Sequence, residues 1–161
     1  MKTIIVGIGN PVLSDDGVGL EIARRLAGRL AGRDDVDVVQ MYGGGLRLME
    51  ALAGYQQAIV IDAIVTGGPP GTIHGSNPGT LWTGRHIHST HDANLPMALD
   101  LGRAAGLSLP AEIRIWAVEA ADVETVREGL SPMVEEAVPA VVERVVACFE
   151  SACLERELEK P

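Results

Sequence analysis

Apolar residues in this chain recur at a strand spacing in some stretches and at a helical spacing in others, and the two kinds of stretch alternate. Lys2 to Ile8 is a short run of mostly β-branched apolar residues stopped by Gly9-Asn10-Pro11, which predicts a buried strand. Gly17 to Leu30 places Val18, Ile22, Leu26 and Leu30 on one stripe with Glu21, Arg24, Arg25 and Arg29 between them, the pattern of an amphipathic helix. Val36 to Met41 predicts a second strand. Gly43-Gly44-Gly45 and a short helix over Leu46 to Leu52 follow it. Ala58 to Ile64 predicts a third strand, apolar except for Asp62. Helix after strand in this order predicts right-handed βαβ units. The expected fold is an α/β three-layer sandwich, a mostly parallel twisted sheet of about five strands with helices on both faces.

From Gly67 the pattern breaks. Gly67-Gly68-Pro69-Pro70-Gly71 and Asn77-Pro78-Gly79 bracket Thr72 to Gly75, which is expected as an irregular strand or hairpin on the sheet edge. Asp92 to Ala105 reads as a helix and Glu112 to Val118 as a strand. Ser131 is placed as the N-cap of a last helix, with Pro132 at its first position and Val134, Val138, Val141, Val145 and Phe149 on its apolar stripe. Pro139 inside that helix is expected to kink it.

The 161 residues suit one domain, expected over residues 1–154, with a charged tail at 155–161 that frays. Asp plus Glu number 22 against 13 Lys plus Arg, a net charge of -9, which leaves no basic footprint for a nucleic acid. Aromatic residues make up only 3%, so the core is built from Val, Ile, Leu and Ala, as in parallel sheets. The 19 glycines are expected at strand-to-helix turns and in the insertion after Gly67, where backbone passes close to a protein substrate. No apolar run approaches the roughly 20 residues of a membrane span, and the first strand leads into Asp15-Asp16 rather than a cleavage site. Cys148 and Cys153 point in different directions on a helix, so a cytoplasmic protein with reduced thiols is expected.

Ligands of open parallel sheets bind outside the carboxyl ends of the strands. The polar residues expected there are Asp15 and Asp16 after the first strand, Asp62 at the third, and Ser89-Thr90-His91-Asp92 before the helix that follows the insertion. Two carboxylates and an imidazole converging on that edge suit a divalent transition metal. Each also has an ordinary structural reading. Asp15 or Asp16 serves equally as a cap of the first helix, Asp62 as a turn-former, His91 as a loop histidine and Asp92 as an N-cap. His86 and His88 lie close enough to His91 to offer an alternative cluster.

Other chemistries fail on detail. Gly7-x-Gly9 is followed by Val12 where the dinucleotide fingerprint needs its third glycine, and no Gly-Lys-Ser/Thr triplet marks a phosphate loop. Two carboxylates at the start of the helix would also repel a pyrophosphate. There is no Gly-x-Ser-x-Gly, and neither cysteine is expected near a histidine.

Over nearly its whole length the chain resembles the hydrogenase maturation endopeptidases, which trim the C-terminus of nickel-iron hydrogenase large subunits. The resemblance rests on Gly7-Ile8-Gly9-Asn10-Pro11 with Asp15-Asp16-Gly17-Val18-Gly19, on Val60-Ile61-Asp62-Ala63, on Ser89-Thr90-His91, and on Gly129-Leu130-Ser131-Pro132. It implies that Asp16, Asp62 and His91 are the metal-contacting and catalytic residues. The metal it implies is not a stored cofactor but the nickel already inserted in the hydrogenase large-subunit precursor, so that cleavage tests for loading. A monomer acting on that precursor is the expectation. Where many relatives carry Gly-Ile-Gln/Glu after the fifth strand, this chain has Ala117-Val118-Glu119-Ala120, and its 67–88 stretch is individual. Two other functions compete. A peptidyl-tRNA hydrolase shares the opening motif but needs an early histidine and a basic face, and here no histidine precedes His74. A non-catalytic nickel-binding chaperone would hold the metal by itself.

Overall fold

In the computed structural model, which describes residues 1–76 and 95–158, the alternating pattern becomes a layered α/β domain. Strands β1 (Thr3–Ile8), β2 (Val36–Met41), β3 (Gln57–Ile64), β4 (Ile73–Ser76) and β5 (Glu112–Glu119) form a sheet in the order β2-β1-β3-β5-β4. All neighbours are parallel except β4, which runs antiparallel to β5 at the edge. That is the irregular edge strand expected after Gly67.

The helices are α1 (Val18–Arg29), α2 (Leu46–Leu52), α3 (Leu95–Ala104) and α4 (Pro132–Leu158). Alternation along the strands sorts their side chains between the two helix layers. Ile5, Ile59, Ile61 and Val118 pack with Val18, Ile22 and Leu26 of α1 and Val134 to Phe149 of α4. Ile4, Val6, Ile8, Ala58, Val60, Ile113 and Ile115 pack with Leu48 and Leu52 of α2 and Leu95 and Leu99 of α3. With so few aromatics, Phe149 is the largest fully buried side chain.

The last helix departs from expectation in two ways. It holds Pro139 within it and continues to Leu158, past the start of the expected tail. The carbonyl of Ser131 accepts from the Glu135 amide, which makes Ser131 the N-cap position, yet its hydroxyl donates elsewhere, to Asp15. Both cysteines lie in α4, and Cys148 is a free thiol accepting from Arg114 Nη1 at 2.6 Å.

Three glycines set how α1 crosses the sheet. A Cβ on Gly7 would lie 2.1 Å from the Gly19 carbonyl oxygen, one on Gly9 2.1 Å from that of Asp16, and one on Gly19 2.3 Å and 2.5 Å from those of Ile8 and Ile61. The close approach that glycine permits here is therefore internal, between the first loop, α1 and the adjacent strands. It is not an approach to a substrate. The insertion behaves likewise at Gly71, whose φ of 84° is left-handed and whose Cβ would sit 2.5 Å from the Met133 carbonyl oxygen.

The chain leaves β1 through α1 on one face, whereas the connection from β3 to β5 ends in α3 on the other. The carboxyl ends of these adjacent strands thus form the topological switch point, where open α/β sheets bind ligands.

This packing predicts opposite responses at two glycines of α1. Gly19→Ala should destabilise by about 3 kcal/mol, since its methyl meets only backbone. Gly28→Ala, with nothing within 4 Å, should gain about 0.5 kcal/mol from helix propensity. Thermal and urea unfolding of the two variants measures both.

Candidate functional site

The loop after β1 closes into a single 3-10 turn at Ser14–Gly17 before α1 begins. Ser14 enters it at φ 50°, the one left-handed non-glycine residue among those described. Its hydroxyl accepts from Arg127 Nη2 at 2.9 Å, its amide donates to the Arg127 carbonyl, and the Arg127 amide donates to Val12. Backbone strain of this kind persists only where the surroundings over-determine it, and here the 127 strand-like bridge does so.

The two adjacent aspartates of the turn have separate roles. Asp15 is fully buried, and its carboxylate accepts from the amides of Ala121 (2.9 Å), Asp122 (3.1 Å) and Ser131 (2.7 Å) and from the Ser131 hydroxyl (2.9 Å). It is a brace between the first loop and the segment linking β5 to α4. Neither aspartate makes a side-chain cap on α1, so the capping reading fails for both. Asp16 is also buried; its Oδ2 accepts from the Asn10 amide at 3.1 Å, which fixes the carboxylate against the Gly9-Asn10 corner.

Asp62 lies within β3, two residues before its end, and is 2% exposed. Its Oδ1 accepts from the following amide, Ala63, at 2.8 Å. The β1–β3 ladder ends at Gly7–Ile61, so Asp62 stands one position beyond it, at the crevice into which the β1 loop folds. By alternation with Ala58 and Val60 it belongs to the face covered by α2 and α3. The turn holding Asp16 packs against β3. Asp16, from the turn after β1, and Asp62, from β3 itself, thus lie at the same end of the sheet.

A fourth buried carboxylate, Glu119, ends β5 and has six bonds to residues 66–74. Its Oε1 accepts from the amides of Thr66 (2.6 Å) and Gly67 (3.1 Å), and its Oε2 from the Thr66 hydroxyl (2.7 Å). Its Oε2 lies 3.2 Å from His74 Nε2, its amide donates to the Thr72 carbonyl and its carbonyl accepts from Gly71. Burial pushes the Glu119 carboxyl up, but the Thr66 hydroxyl and amide and the His74 ring together hold it below the usual value.

His91, the third expected ligand, lies outside the described residues, as do His86, His88 and Asp92. Among the described residues no group of three or more His, Cys, Asp or Glu side chains is placed to hold a metal ion. Two carboxylates from Asp16 and Asp62 are half a typical transition-metal donor set and accord with a nitrogen ligand supplied by a further segment. The pairing of Glu119 with His74 was missed in the sequence, because nothing in the aperiodic stretch from Gly67 shows that it lies beside β5.

Comparisons with known proteins identify relatives of this chain. A family model described as hydrogenase maturation protease matches residues 20–148. The Hydrogenase 2 maturation protease of Escherichia coli (strain K12) is 27% identical over 159 residues, covering 96% of this chain and 94% of its own. The structure of the hydrogenase maturating endopeptidase HybD from E. coli superposes with a TM-score of 0.82 at 26% identity, over 94% of each chain. The NiFe hydrogenase maturation protease HybD from Thermococcus kodakarensis shares the fold, with a TM-score of 0.75 at 24% identity over 92% of this chain and 99% of that one.

The buried carboxylates carry two predictions. Asp15→Ala orphans four donors and should cost about 3 kcal/mol or more of stability in urea unfolding. Glu119, whose folded pKa is lowered from 4.5, contributes stability that is present above that value and is lost as pH falls through the folded one. Thermal midpoints should therefore drop on acidification below about pH 4.5, and less steeply in Glu119→Gln.

Proposed function

Because the chain belongs to the hydrogenase maturation protease family, we propose that it removes the C-terminal extension from a nickel-iron hydrogenase large-subunit precursor once nickel has been inserted. The observation that carries this reading is the presence of two buried carboxylates, Asp16 from the turn after β1 and Asp62 from β3, at the switch point between these strands. Two carboxylates at one end of the sheet offer the hard oxygen donors that a divalent cation takes. With His91 they make a carboxylate–imidazole set that suits divalent nickel.

The nickel in this reading is part of the substrate. Asp16, Asp62 and His91 contact it where it sits in the precursor and so hold the neighbouring chain in register for cleavage. Most of the free energy of productive binding then comes from a contact that an unloaded precursor cannot make, which turns cleavage into a test for loading. The enzyme acts as a monomer in the cytoplasm, on a protein partner and on no nucleic acid. The family assignment replaces the peptidyl-tRNA hydrolase-like alternative, and its endopeptidase activity replaces the non-catalytic chaperone.

The test is cleavage of the nickel-loaded precursor, followed by mass spectrometry. Asp16→Ala, Asp62→Ala and His91→Ala should each slow it by about 100-fold or more while the thermal midpoint stays close to that of the unaltered protein. Cleavage by Asp62→Ala at an undiminished rate would contradict the reading.

A further inference from the structure

His74 and Asp62 are both register partners of Ala117, on opposite sides of β5. Residues paired in register direct their side chains to the same face of a sheet, and neighbouring strands lie about 4.8 Å apart, so the Cα atoms of Asp62 and His74 are roughly 10 Å from each other. Ile73, one position earlier, packs with the α1 and α4 layer, which places His74 on the opposite face, that of α2 and α3. Only the methyl of Ala117 stands between the two polar side chains in that row.

The ring of His74 is fixed at one end. Nε2 lies 3.2 Å from Oε2 of Glu119, whose side chain is 1% exposed and already accepts from Thr66 and Gly67. A carboxylate only accepts hydrogen bonds, so Nε2 carries the proton and Nδ1 of the neutral ring keeps its lone pair. Nδ1 has no partner among the described residues, and the His74 side chain is 32% exposed. A histidine held by a buried carboxylate with its other nitrogen open is arranged as a general base. A structural histidine on an edge strand has no need of such an arrangement.

We infer that His74, oriented by Glu119, is a further catalytic residue of the peptide-bond cleavage proposed above, and takes the proton from the attacking water. The inference rests on that proposed function. The water oxygen bonds to the scissile carbonyl carbon, one water proton passes to Nδ1, and the carbonyl π pair moves onto its oxygen. Collapse of the tetrahedral species re-forms the carbonyl and breaks the C–N bond, and the proton on Nδ1 passes to the departing nitrogen. The products are a new carboxyl terminus and a new amine, with the ring neutral again. Glu119 stabilises the imidazolium formed in between. Asp16, Asp62 and His91 are left to hold the nickel-bearing substrate.

The experiment compares the full-length protein with His74→Ala, His74→Gln and Glu119→Gln on nickel-loaded, extended precursor, with and without added imidazole. His74→Ala and His74→Gln should lower kcat by about 100-fold with KM changed by less than about 2-fold, while thermal unfolding shows the variants still cooperatively folded. Imidazole should restore part of the rate of His74→Ala. Glu119→Gln, which keeps the ring but loosens it, should lose about 10-fold. Cleavage by His74→Ala at the original rate would overturn the inference alone. So would a loss confined to KM and unaffected by imidazole. Failure of the unaltered protein to cleave loaded precursor would overturn the proposed function and this inference with it.

Discussion

Nothing larger than a hydrogen atom fits on Gly7, Gly9 or Gly19, and the rest of the site depends on that constraint. It lets the start of α1 lie directly on the backbone of β1 and β3, with carbonyl oxygens where Cβ atoms would otherwise be. The loop between Gly9 and Gly17 is pressed by this contact into a single 3-10 turn. Asp16 is thereby lowered into the crevice beside β3 instead of standing out on a flexible corner. Glycine usually signals freedom; in these three places it enforces one close-packed arrangement.

A set of buried carboxylates is built on that arrangement. Asp15 and Glu119 are each surrounded by four donors, and each braces a loop that leaves the carboxyl end of a strand. The segment after β5 is their meeting place. Glu119 reaches to residues 66–74, and two and three positions later the backbone of Ala121 and Asp122 satisfies Asp15. The loops carrying the site are tied to one strand end and therefore to each other. Asp16 accepts from the Asn10 amide and Asp62 from that of Ala63, and both lie at the switch point. The acidic character of the chain is here put to internal bracing and, in the proposed function, to a site for a cation.

The sequence made much of the architecture legible because periodicity and punctuation are local. Val36–Met41 and Leu46–Leu52 have the bounds their patterns predict, and the strand containing Asp62 differs by one residue. Asp62 was also legible, as the polar residue in an otherwise apolar strand. What escaped was long-range. The partners of Asp15 lie more than a hundred residues away, so a carboxylate that braces the fold looked like a helix cap. Ser131 does hold the N-cap position that was read for it, but the bond of its hydroxyl to Asp15 spans the chain in the same way. His74 was invisible as a site residue because its place depends on β4 turning antiparallel against β5, in a stretch with no period to read. His91 was singled out by its place before the helix that follows the insertion and again by the family resemblance, and it lies outside the described residues.

The claim at the centre of this account is that the cation met by Asp16 and Asp62 arrives with the substrate. The most direct measurement follows the mass of an extended large-subunit precursor incubated with this protein, once with nickel inserted and once without. The account predicts a discrete loss of the C-terminal extension from the loaded precursor alone. Equal cleavage of both forms would contradict it.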